Sequence, residues 1–313
     1  MTAAATTRSR LRARRPRTAG LIATLAALTL GLSACGGGGD DSSSDASGTP
    51  GGDDPIRIGV VGASEDHWKI FQKKAEEAGF DVEIVDFTEY TQPNPALSQG
   101  QLDLNQFQHI LYLAQYNVEA GDDLVPVGAT AIYPLGLYSK QYTSVDEIPD
   151  GSEIAIPNDP TNLARALLVL QDAGLVTLKD GGSAFSTEAD VVADSSRVTV
   201  TPVDAQQTAL ALDSVAASII NNDFLADAGI DPDSALYSDD ADSEAAKPYI
   251  NIWAAKKDDA TNQRYLDLIK IYEDPEVQDA LQKASGGTAV IANQSPEELQ
   301  QILADVEADA KNA

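Results

Sequence analysis

Two stretches of this 313-residue sequence hold residue types suited to recognition chemistry. The first is Ile156-Pro157-Asn158-Asp159-Pro160-Thr161-Asn162-Leu163-Ala164-Arg165. It reads as a strand end, a polar turn and a helix start with an arginine in its early turns. Free N–H groups and the positive dipole end of such a helix favour an anion. Arg165 can add a two-pronged grip on a carboxylate. A plainer role fits equally well: Asn158 and Asn162 as turn and cap residues, Arg165 as the partner of a surface acid. The second stretch is aromatic. Phe87, Tyr90, Phe107, His109, Tyr112 and Tyr133 lie close together in a chain only 6% aromatic. Such rings can wall a pocket with His109 on its rim, and a thioether would suit it because sulfur packs well against ring edges. Taken singly, each ring would serve an ordinary core. Polar Asn105, Gln106 and Gln108 beside His109 favour a ring-lined cleft.

Catalytic patterns are missing. There is no G-x-S-x-G elbow, no Walker A loop and no H-E-x-x-H. Gly59-Val60-Val61-Gly62-Ala63-Ser64 lacks the glycine spacing of a dinucleotide fingerprint. His67, near a helix start, is expected in solvent or in a cap. The acid pairs Asp122-Asp123, Asp239-Asp240 and Asp258-Asp259 read as solvated loop charge, since a Ca²⁺ loop places its ligands at alternate positions. One cysteine and two histidines exclude a disulfide framework and multi-cysteine zinc sites. The expectation is a protein that is not an enzyme and has no cofactor and no metal.

These residues need elements to position them. Ile56–Val61 reads as a strand, followed by a helix capped at Ser64, with Trp68, Phe71, Ala75 and Ala78 inward and Gly79 as its stop. Val82–Phe87 is the next strand, giving the β-α-β order of a parallel sheet. A second set follows: strand 153–157, helix Leu163–Ala173 ended by Gly174, strands 198–203, 215–220 and 249–254, then two helices. The last has a capping box, Ser295 at N-cap, Pro296 at N1 and Glu298 at N3. The fold class is α/β.

Charge is unevenly spread. The chain carries 21 basic and 49 acidic residues, a formal net charge of −28. Such a surface repels phosphate backbones, which argues against nucleic-acid binding. Residues 1–34 nevertheless hold six arginines and no acid. An uncharged apolar run from Thr18 to Ala34 follows the arginines, in the order of a secretory signal. Leu32-Ser33-Ala34-Cys35 resembles the bacterial lipobox, which implies cleavage before Cys35 and a lipid on its sulfur. The Gly-, Ser- and Asp-rich segment to Asp54 reads as a flexible tether of about 25 Å root-mean-square span.

Further motifs appear in order: Pro93-Asn94-Pro95, Phe107-Gln108-His109, Ile132-Tyr133-Pro134, the run 157–162 with Arg165, Ile220-Asn221 and Pro248-Tyr249-Ile250-Asn251. With them the chain resembles the methionine-binding lipoproteins of the NlpA family, extracytoplasmic receptors of methionine ABC importers, from about Ile56 to Gln294. The resemblance implies a type II periplasmic-binding-protein fold. Lobe 1 would comprise 55–131 and 256–313 and lobe 2 132–255, with hinge crossings near Ala131 and Lys256. It implies that Arg165 binds the ligand carboxylate and that Asn158, Asn162, Asn221 and Asn251 bind its amino-acid head. Tyr90, Phe107, His109, Tyr112 and Tyr133 would enclose the side chain. The implied ligand is methionine, the L form first and the D form by extension, delivered to an ABC permease with its ATP-binding subunits. The protein would sit lipid-anchored on the extracytoplasmic face of the cell membrane. Ile110 and the Asn222-Asp223-Phe224 turn depart from the family pattern, and Asp223 adds a charge beside the site. Alternatives are a receptor for another amino acid or a methionine-containing dipeptide, a secreted hydrolase, and an adhesion or signalling lipoprotein.

Overall fold

The computed structural model describes residues 54–312. The expected signal segment 1–34, Cys35 and all but the last residue of the tether 35–54 lie outside the described residues. Chain order is β1 (Ile56–Val61), α1 (Asp66–Glu77), β2 (Val82–Phe87), α2 (Pro93–Ser98), β3 (Leu104–His109), α3 (Ile110–Ala120) and β4 (Val125–Ala129). Then come β5 (Ala131–Ile132), β6 (Gly136–Tyr138), β7 (Glu153–Pro157), α4 (Pro160–Asp172), β8 (Thr199–Val203), α5 (Thr208–Ala211), β9 (Ala217–Ile220), α6 (Leu225–Ala228) and β10 (Tyr237–Ser238). The chain ends with β11 (Asn251–Ala255), α7 (Gln263–Ile271), α8 (Pro275–Ala284), β12 (Val290–Ile291) and α9 (Pro296–Ala310).

Two five-stranded sheets organise these elements, in orders β2-β1-β3-β11-β4 and β10-β6-β9-β7-β8. Each contains a parallel triplet, β2-β1-β3 in lobe 1 and β8-β7-β9 in lobe 2, extended by antiparallel strands. β11 lies between β3 and β4, antiparallel to both. The second crossing therefore ends before Asn251, a strand earlier than the expected return near Lys256. The first crossing contains β5, which pairs with β12 near the C-terminus.

Local patterns explain the parts. The 3.6-residue spacing of Trp68, Phe71 and Ala75 buries one face of α1. They pack with Trp253 and Tyr272 in an aromatic cluster whose ring centroids lie 5.4–5.9 Å apart for the Trp68–Trp253, Phe71–Tyr272 and Trp253–Tyr272 pairs. α1 starts after Glu65, not Ser64, and no side chain caps it. α4 starts at Pro160, because Asp159 caps it and proline suits the first turn. Thr161 and Asn162 are thus helical rather than loop. The α9 capping box forms as expected, with Ser295 accepting from the Glu298 amide and Glu298 accepting from the Ser295 amide at 2.8 Å. Three helices follow β11, not two.

Candidate functional site

The site lies where both parallel triplets present their C-terminal ends, the usual ligand position in open α/β sheets. Lobe 1 supplies Tyr90, Phe107, His109 and Tyr112; lobe 2 supplies Asn162, Arg165, Asn221 and Asp223; the crossings supply Tyr133, and Asn251 begins β11. Together they line a cleft of about 440 Å³, including its open mouth. Arg165 and Asp223 are the only formally charged side chains lining it among the described residues.

On the lobe 1 side the rings form one wall. Phe107 lies 5.9 Å from Tyr90 and 5.8 Å from Tyr112 between centroids. Phe224 of lobe 2 approaches Tyr90 at 5.2 Å, so the wall continues across the gap. The wall has a polar footing. Asn94 Nδ2 donates to Gln108 Oε1 at 2.7 Å, Gln108 Nε2 donates to Asn94 Oδ1 at 2.6 Å, and Asn105 Nδ2 donates to Asn94 Oδ1 at 2.9 Å. All three amides are buried. Pro93-Asn94-Pro95 and Gln108 thus fix the backbone beneath the rings, and Asn94 does not line the cleft.

His109 is buried, not on a rim. It ends β3 and caps α3: its Nδ1 accepts the Tyr112 amide at 3.1 Å. That fixes the tautomer, so Nε2 carries the proton and donates to Asn162 Oδ1 at 3.2 Å. Burial, then the charge of Arg165, pulls the imidazole down to about 3. His109 is therefore a neutral donor at physiological pH.

Asn162 is the junction between lobes. Its Oδ1 accepts from His109 and from Asn221 Nδ2 at 3.1 Å, and its Nδ2 donates to Asp159 at 3.0 Å. Asp159 also accepts the Asn162 amide at 3.0 Å. The anion expected at this helix mouth is thus the chain's own carboxylate. Asn221 Oδ1, buried, has no hydrogen-bond partner.

Arg165 is 4% exposed. Its Nε donates to Asp239 Oδ2 at 2.6 Å and its Nη2 to the Tyr133 carbonyl at 2.9 Å. Its guanidinium carbon sits 4.2 Å over the Tyr249 ring, a cation–π contact. Among the described residues no hydrogen bond engages Nη1. Arg165 thus pairs with an acid and also lines the cleft.

Three expectations need correction. Asn158 does not join the cleft; its Nδ2 donates to Asp204 Oδ1 at 2.7 Å, and it lines a neighbouring groove beyond Tyr90 and Tyr112. Asp239 is not solvated loop charge but the partner of Arg165, with its other oxygen accepting the Leu135 amide at 2.8 Å. His67 is buried beside Trp68 and Tyr272, with Glu65 3.1 Å from its Nδ1. Sequence reasoning missed Asp239 and Tyr249, whose roles arise through contacts distant along the chain.

A family model described as NlpA lipoprotein matches residues 56–293. Among curated proteins, the D-methionine-binding lipoprotein MetQ of Salmonella typhi is 40% identical over 240 residues, covering 75% of this chain and 87% of that protein. The substrate-binding protein of a methionine transporter from Streptococcus pneumoniae has a TM-score of 0.70 at 36% identity, covering 76% of this chain and 95% of that one. A nutrient-binding protein from Burkholderia cenocepacia, solved bound to methionine, has a TM-score of 0.70 at 34% identity, covering 76% of this chain and 99% of that one. The matched span holds every cleft residue described above, and the chain belongs to the NlpA lipoprotein family.

Proposed function

We propose that this protein is a lipid-anchored receptor that captures methionine in the cleft and presents it to an ABC importer. The observation that carries the reading is a buried guanidinium and an unpartnered buried carbonyl oxygen in one cleft, Arg165 and Asn221 Oδ1. A buried cation with a free edge calls for a carboxylate, and an orphaned acceptor calls for a donor. The head of an amino acid offers both. In this reading Nη1 of Arg165 receives the carboxylate, while Asn221, with Asn251 nearby, receives the ammonium. Asn162 and His109 hold these groups in place, and Tyr90, Phe107, Tyr112 and Tyr133 enclose the thioether.

Binding makes and breaks no covalent bond. Contacts to both lobes select the closed arrangement, with the two crossings as hinges. A hydrolase would need paired carboxylates in the cleft with separated acidities; Asp223 is the only acid lining it among the described residues. Cys35 as the lipidated residue, in the Leu32-Ser33-Ala34-Cys35 motif, would hold the receptor on the outer face of the cytoplasmic membrane. The names of the relatives above support methionine and a transporter as partners.

The test is a thermal-unfolding panel of L- and D-amino acids and methionine-containing dipeptides on the domain beginning at Asp54. At about 1,000 times Kd, a true ligand adds on the order of 4 kcal/mol to stability. Methionine should give the largest shift. No shift with methionine, alongside a clear one for another compound, would transfer the assignment to that compound.

A further inference from the structure

Asp223 lies at the junction of the two lobes. Its Oδ2 accepts from the Tyr90 hydroxyl of lobe 1 at 2.8 Å, and Phe224 beside it meets the Tyr90 ring. A turn further on, Asp227 Oδ1 accepts from Ser64 Oγ at 3.2 Å, again across the gap. The β1–α1 loop comes close: a Cβ built on Gly62 would lie 3.7 Å from the Asp223 carbonyl oxygen and 3.7 Å from Glu65 Oε1. The segment 221–228 of lobe 2 is therefore clasped against the β1–α1 loop and Tyr90 of lobe 1.

We propose that Asp223 is a positioning residue of this cleft: its bond to Tyr90 holds the ring wall of lobe 1 against lobe 2, and burying it between the lobes makes closure sensitive to pH. The groups facing it explain why. Glu65 approaches from the β1–α1 loop, Tyr90 from the segment after β2, Tyr133 from the first crossing and Tyr272 from behind that loop. Asp159 adds negative charge on the lobe 2 side of Tyr90, and Asp227 is held by Ser64. The cleft's one cation, Arg165, acts on His109 and Tyr249 instead. Burial, then Glu65, pushes the Asp223 carboxyl up to about 7, against the opposing pull of Tyr90. A neutral carboxyl keeps an oxygen that can accept from Tyr90. The desolvation and the repulsion from Glu65 fall on the anion alone. Opening the lobes returns Asp223 to water and its ordinary acidity.

The sign follows by linkage. The closed state binds the extra proton, so closure is favoured at low pH and weakens as pH rises through about 7. The inference rests on the proposed function for its ligand, methionine, which closes the lobes. The first measurement is carbon NMR of the aspartate carboxyls at saturating methionine: one group should titrate near 7, should vanish in Asp223→Asn, and should return to the ordinary carboxylate range when the ligand is removed. An Asp223 signal in the ordinary range with ligand bound, or one near 7 without it, would overturn the proposal. The second is calorimetric titration with L-methionine from pH 6.5 to 8.5, at or above the ordinary range of His109. Affinity should fall about fourfold across that window in the wild type. It should stay level in Asp223→Asn, which keeps an oxygen for Tyr90, and the dependence should shrink in Glu65→Gln. A level wild-type profile, or a dependence that survives Asp223→Asn, would overturn the proposal. So would affinity that rises with pH, since Asp223 would then be anchoring the ligand's ammonium. If methionine gives no heat at any pH, the methionine reading fails, and the same carboxyl titration with the compound that shifts thermal unfolding decides the role of Asp223.

Discussion

The two lobes are built on the same parallel triplet, yet they treat the helix that follows the first strand of the triplet differently. After β7, Asp159 turns back onto the Asn162 amide of α4, and that helix mouth is capped by its own carboxylate. After β1, Glu65 stands in the corresponding cap position without a side-chain bond to the α1 amides, and its carboxylate lies beside the His67 side chain of that helix instead. A satisfied cap holds α4 still, so Asn162 and Arg165 along its first turns can serve as fixed binding groups. The uncapped α1 contributes no side chain to the cleft; in lobe 1 the cleft is lined from β3, α3 and the segment after β2. Lobe 2 thus offers charge and amides, and lobe 1 rings and a neutral imidazole. The comparison teaches that a helix start can serve a site without touching the ligand, by taking the anion's place itself.

The sharpest way to break this division is to remove its charge. Arg165→Ala should weaken methionine binding by about 2–5 kcal/mol in calorimetry, the usual loss when one member of a desolvated charge pair is truncated. Near-wild-type affinity would show that lobe 2 does not hold the head group. The neutral imidazole of lobe 1 gives the next largest effect. The fold holds His109 near 3, below its ordinary 6.5, so its contribution to stability is complete above pH 6.5 and is lost as pH falls toward 3. Urea unfolding should show the wild type losing up to about 1.4 kcal/mol more per pH unit in that window than His109→Gln. Parallel profiles would mean that His109 titrates normally and does not stay neutral. The two helix starts give the smallest effect. Asp159→Ala should cost about 1 kcal/mol of stability as a lost cap, and Glu65→Ala, with no cap bond to lose, clearly less. Equal losses would erase the contrast between α1 and α4.

Much of this was legible along the chain, where the signal was local. The alternation in Ile56–Val61, the 3.6-residue spacing of Trp68, Phe71 and Ala75, and the Ser295–Glu298 box each specify an element from a few neighbours. Asn162 with Arg165, and the rings from Tyr90 to Tyr133, were readable as candidate site residues for the same reason. What could not be read depends on partners far along the chain. Asp239 meets Arg165 across 74 residues, and nothing beside Asp239 distinguishes it from Asp240. β11 inserts between β3 and β4, a choice of sheet that its own apolar pattern does not encode. Asn158 and Asn162 look alike as turn residues; one helical turn decides which faces the cleft.

The amide triad beneath the rings sets a limit on how this receptor can be altered. Asn94, Asn105 and Gln108 each answer another's donor or acceptor, so exchanging any one for an apolar residue strands a polar atom in the dark interior. Retuning the slot for a bulkier or slimmer guest would therefore have to proceed by trimming or swelling the rings themselves. The ledge they stand on has no single-residue adjustment.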